Sequence, residues 1–235
     1  MALGNPTVIE VSRPSGTVEA MAPRPTGWLA AELIALWLLV PVLLWAGVLP
    51  GVRVLVPLAV SGGATALVAV AAGARGRALG LRPRRGLGES LRVGAPGAGA
   101  AAALLPLLAL SLLGSEGLGP WPRASAEGLA GFLAVYAVVS VTAQEWLFSS
   151  FFFWRYRRLV RAPVLEAINV LSFGLAHLVY GSPISVGLSM LGRILLVRVY
   201  RRRNVWAVWI LHVVLGAVVF LLGLGRYFYR PLGLS

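Results

Sequence analysis

The chain has 235 residues, is 58% hydrophobic and has a mean hydropathy of +0.83, more apolar than soluble domains usually are, so it reads as a membrane-embedded helical bundle. Its formal net charge of +13 comes from 21 basic residues, all arginine and set mostly between apolar runs. That arrangement excludes a solvated nucleic-acid face and fits orientation by positive cytoplasmic loops.

Cysteine and aspartate are absent. This excludes disulfides, thiolate zinc sites, cysteine nucleophiles and any aspartic dyad. Eight glutamates and two histidines remain as candidate acids, bases or ligands.

Residues 1–26 are polar and carry no cleavable signal peptide pattern, so they read as a disordered cytoplasmic tail. Seven spans are expected where apolar runs approach the length needed to cross hydrocarbon. Trp28–Leu49 and Val54–Ala72 place two helices in 27–72. Residues 73–97 form a basic cytoplasmic loop or an interfacial helix. Ala98–Leu113, Leu129–Trp154, Val164–Tyr180, Ile184–Tyr200 and Val205–Leu224 make a core over 98–225, and 226–235 is a tail. Basic segments follow spans two, four and six, which predicts a cytoplasmic N-terminus. Arg226 and Arg230, placed outside by this scheme, fit it poorly. Arginine without lysine, beside abundant Ala, Leu and Gly, is the usage of a GC-rich bacterial genome, and a bacterial inner membrane is the expected location.

Ionisable groups inside spans are costly and tend to face the bundle interior. Glu145 lies in the fourth span after Gln144 and shares a helical face with Ser149. His177 and His212, the chain's two histidines, fall in the fifth and seventh spans. Each has two readings: a hydrogen-bonded interior residue, or part of a site where a base and two imidazoles activate water and stabilise an oxyanion. The same Glu145, His177 and His212 are the runner-up ligand set for zinc. A metal-free, cofactor-free site is the preferred reading, because no H-E-x-x-H occurs and no carboxylate would remain as base. Glu32, four residues after Trp28, reads as structural or interfacial. Arg193 sits deep in the sixth span as a candidate partner for a glutamate, and Arg198 reaches the interface.

Three ordered segments resemble the motifs of the CPBP family of CAAX-processing and bacteriocin-processing intramembrane endopeptidases. The first, E-E-x-x-F-R-G in the family, reads Gln144-Glu145-Trp146-Leu147-Phe148-Ser149-Ser150. The second, F-x-x-x-H, is Phe173 and His177. The third, a histidine with a polar residue four positions on, is His212 and Gly216. The stretch leading into His212 is also similar, and the resemblance spans roughly 73–222.

The resemblance implies an all-α, CAAX-protease-like polytopic bundle with a cavity open to the membrane. It also implies a glutamate that activates water against a membrane-associated protein or peptide, with histidines stabilising the oxyanion. In that scheme Glu145, His177 and His212 are catalytic. Three positions depart from it. Gln144 stands at the first glutamate, so Glu145 must be the base. Ser149 replaces the arginine that would pair with the carboxylate. Gly216 replaces the last polar residue, a loss of the kind that costs about 10²–10³ in rate elsewhere. The departures leave a second expectation, a pseudoprotease that binds a membrane peptide without cutting it. A proton-relay transporter ranks third, since no inverted repeat is visible.

Overall fold

The computed structural model describes residues 26–46, 55–81, 86–202 and 204–228. Nearly all of the expected N-terminal tail, and the C-terminal tail beyond 228, lie outside the described residues. These residues form seven principal helices: α1 Gly27–Trp45, α2 Leu55–Ala71, α3 Leu87–Gly117, α4 Ala126–Tyr156, α5 Ala162–Ala176, α6 Pro183–Tyr200 and α7 Val205–Leu221. A tight 3₁₀ turn, His177–Tyr180, extends α5, and another, Leu224–Phe228, follows α7.

Local chemistry sets several of these boundaries. The Ser125 hydroxyl accepts from Gly128 N–H at 3.2 Å at the start of α4, and the Asn204 side chain accepts from Ala207 N–H at 3.0 Å at the start of α7. Both satisfy first-turn donors that have no helical partner. Prolines open α5 and α6, where the missing N–H costs nothing. In α1, Pro41 follows a widened turn over Ala35–Leu39, as expected where proline cannot donate to the helical ladder.

Five of the segments are long and apolar enough to cross a membrane: α1, α3, α4, α6 and α5 with its added turn, Ala162–Tyr180. Large apolar side chains point outward along them, including Leu104, Leu107, Val138 and Leu191, each more than 60% exposed. In water such a surface would aggregate; in lipid it is the solvated surface. The apolar parts of α2 and α7, Val60–Ala71 and Val205–Leu221, are shorter.

One expectation changes. The third helix begins at Leu87 rather than Ala98, because "LGESLRVGAPG" is amphipathic and buries Ser90, Gly94 and Ala98 against α6 and α7. A Cβ at Gly94 would sit 2.6 Å from the Val199 side chain, so only glycine permits this approach. The expected end at Leu113 coincides with a break, since Gly114 leaves helical geometry at φ 66°. Arg226, which fits the charge scheme poorly, has partners within the fold. Its guanidinium donates to the Gly117 carbonyl at 2.9 Å and lies 5.6 Å from the Trp121 ring centre, binding the chain end to the end of α3.

The core that positions the site is aromatic. Trp37 of α1 packs edge-on against Phe148 and Phe152 of α4 at centroid distances of 4.9 and 5.1 Å, and Phe148 meets Phe173 of α5 at 4.9 Å. Polar pairs join the same helices. Arg155 donates to both Glu32 oxygens at 2.9 and 2.5 Å, Tyr156 donates to Glu32 at 2.8 Å, and the Trp37 indole donates to Tyr156 at 3.0 Å. Glu32 is therefore structural, as its sequence position indicates. It sits inside an ion pair only 9–10% exposed rather than free at the headgroups, and it places the start of α1 beside the end of α4.

Candidate active site

Helix α4 is not regular. The α-helical turn Thr142–Glu145 lies between two widened turns, Tyr136–Val141 and Trp146–Phe151. Each widened turn shifts the helical register, a distortion that clusters at functional sites. The Phe152 N–H reaches back five residues to Leu147 O. The neighbouring Phe148 carbonyl accepts from Arg193 Nη2 at 2.5 Å and Asn169 Nδ2 at 2.8 Å. At the other widened turn, Ala137 O accepts from Thr142 Oγ1 at 3.3 Å and Trp209 Nε1 at 3.2 Å. Backbone groups that would be costly in lipid are thereby satisfied by neighbouring helices.

Glu145 projects from the turn between them and is 1% exposed. Its Oε2 accepts from Ser149 Oγ at 2.5 Å and Arg193 Nη1 at 3.0 Å. Its Oε1 lies 2.6 Å from His212 Nδ1 and 3.4 Å from Arg193 Nη1. Arg193 of α6 is itself fully buried. Its remaining donors go to Asn169 Oδ1 at 2.7 Å and Ser149 Oγ at 3.1 Å, besides Phe148 O. The guanidinium carbon lies 5.2 Å from the Phe173 ring centre. Burying two charges costs several kcal/mol per ion unless each is fully bonded, and here each is.

The expectation that Ser149 leaves the carboxylate without a counter-charge is therefore corrected. Position 149 carries no arginine, yet a guanidinium occupies the space beside it, delivered from α6. Ser149 is small enough to admit it and bonds both partners. The positive charge beside the carboxylate is supplied by α6 rather than by α4.

The two histidines share the Phe173 ring. His177 lies 4.8 Å and His212 5.9 Å from it by centroids. His177 Nδ1 lies 2.7 Å from Phe173 O, and a carbonyl only accepts, so this nitrogen carries the proton. His212 Nδ1 likewise donates to the Glu145 carboxylate. In neutral imidazoles the Nε2 atoms are then acceptors, and neither has a hydrogen-bond partner among the described residues. Glu145, His177 and His212 thus meet at one site, but only Glu145 and His212 touch. Among the described residues no three His, Cys, Asp or Glu side chains are gathered as a metal would require. Both Glu145 oxygens already have partners.

Gln144 turns away from this cluster, and its Nε2 donates to Ser140 Oγ at 2.8 Å on its own helix. Phe173 is buried beneath both imidazoles. Gly216 faces Tyr136 of α4. Sequence reasoning missed Asn169, Tyr136 and Phe228, whose ring lies 5.8 Å from that of His177. A polar residue in an apolar span was the available signal for Asn169; nothing local marked the other two.

The family model for type II CAAX prenyl endopeptidases, Rce1-like, matches residues 126–218. No curated protein and no solved structure matches the chain. The matched residues run from the start of α4 to near the end of α7 and contain Glu145, Ser149, Asn169, Phe173, His177, Arg193 and His212. Over these residues the chain is similar to the Rce1-like CAAX endopeptidase family, in agreement with the motif resemblance.

Proposed function

We propose that the chain is an intramembrane endopeptidase of a bacterial inner membrane, N-terminus cytoplasmic, cutting a membrane-associated protein or peptide. The carrying observation is the Glu145–His212 contact at 2.6 Å with Arg193 behind it. A buried carboxylate holding an imidazole by Nδ1–H fixes its tautomer and stabilises the imidazolium that forms when Nε2 takes a proton.

On this reading Glu145 drives the chemistry through His212. The His212 Nε2 removes a proton from water, and the water oxygen attacks the scissile carbonyl carbon. The C–N bond then breaks, and His212 returns the proton to the leaving amine. His177 Nε2 accepts the second hydrogen of that water and orients it. This assignment modifies direct proton abstraction by Glu145, because both its oxygens are engaged by protein donors.

The test is terminal labelling of membranes from bacteria producing either the wild-type chain or Glu145→Gln. New protein termini should appear with the first and not the second. Identical termini from both would contradict the reading. No new termini from either is the outcome expected of a chain that binds a membrane peptide without cutting it.

A further inference from the structure

The site as described has two acceptors and no free donor. Both Nδ1–H groups are committed, and Ser149 and Arg193 are bound to Glu145. A carbonyl oxygen gaining negative charge needs an N–H or O–H aimed at it. The sequence places no polar side chain at 216, one turn beyond His212 on the same face of α7.

The space at that position is filled from another helix. A Cβ on Gly216 would overlap the Tyr136 hydroxyl and lie 2.5 and 2.8 Å from its ring carbons Cζ and Cε1. The phenol therefore ends where a side chain at 216 would begin. Its ring is held on both sides by α7, edge-on to His212 at 6.4 Å and to Phe220 at 5.0 Å. Tyr136 also opens the widened turn of α4 that Trp209 braces at Ala137 O. Tyr136 is half-buried, and its hydroxyl has no hydrogen-bond partner among the described residues.

We infer that the Tyr136 O–H is the oxyanion donor of this site, standing in the volume that glycine at 216 leaves open. The inference rests on the peptide-hydrolase reading. As water adds to the scissile carbonyl and its proton passes to His212 Nε2, the carbonyl oxygen becomes negative and accepts a hydrogen bond from Tyr136. The phenol keeps its proton throughout. When the C–N bond breaks, the carbonyl re-forms and the hydrogen bond relaxes. Glycine at 216 and tyrosine at 136 are thus one device: any larger residue at 216 would displace the donor.

The test uses the full-length protein in lipid nanodiscs and an internally quenched peptide spanning a cut found in the labelled membranes. Tyr136→Phe keeps the ring and removes the hydroxyl. It should lower kcat about 10²-fold with KM within a few-fold, while Tm stays near wild type. Tyr136→Ala should lose at least as much, and Tyr136→Ala with Gly216→Asn should recover part of it by returning a donor to α7. Wild-type kcat in Tyr136→Phe, with Glu145→Gln inactive, would overturn the inference and leave the protease reading standing. An absence of Glu145-dependent cutting would overturn both.

Discussion

Glu145 of α4 and Arg193 of α6 meet at 3.0 Å, and neither side chain is more than 1% exposed. Removing one member of such a pair strands the other, at a cost of about 3–5 kcal/mol. Arg193→Met should therefore lower stability by about that amount in thermal unfolding of detergent-solubilised protein. Arg193→Lys should recover little of it, because a lysine cannot reproduce the fork that serves Asn169, Glu145, Ser149 and the Phe148 carbonyl.

Ser149 and Arg193 both contact Glu145, which makes a swap testable. Ser149→Arg alone should destabilise strongly, since it forces a second guanidinium into a filled, buried space. Ser149→Arg combined with Arg193→Leu puts one arginine back beside one carboxylate and should be clearly more stable than Ser149→Arg alone. Additive losses in Tm would show that positions 149 and 193 do not share one space.

The Glu32–Arg155 pair joins α1 to α4 away from the imidazoles. Glu32→Gln should lower Tm modestly, a loss of about 1–3 kcal/mol for a charge-assisted bond, with kcat on a quenched peptide unchanged. A loss of kcat at unchanged Tm would give Glu32 a role in the chemistry.

Gln144 touches neither Glu145 nor His212 through its side chain and bonds Ser140 instead. Gln144→Ala should keep the cleavage rate within about tenfold of wild type. A loss as deep as that of His212→Ala would make Gln144 part of the reacting set.

Much of this was legible in the sequence. The seven apolar runs correspond to seven principal helices among the described residues, five of them long and apolar enough to cross a membrane. Glu145, His177 and His212 stood out because charge and imidazole are rare in such runs. What the sequence did not yield lies across helices. Arg193 was visible as a misplaced charge, but its partner depended on how α6 packs on α4, which no spacing along one chain records. Tyr136 looked like an ordinary span aromatic. Its hydroxyl acquires meaning only beside Gly216, 80 residues later by numbering. The early start of α3 was legible only in part: residues 73–97 allowed a loop or an interfacial helix, and the packing shows Ser90, Gly94 and Ala98 sharing a buried face of α3 itself.

The most direct test of the central claim is a double-mutant cycle on cleavage of the quenched peptide by wild type, Glu145→Gln, His212→Ala and the double variant, with Tm followed for each. If Glu145 acts through His212, each single change lowers kcat by about 10²–10⁴ and the double variant is no slower than the slower single. A double variant whose loss equals the product of the two single losses, or a wild-type rate in either single variant, would contradict the account.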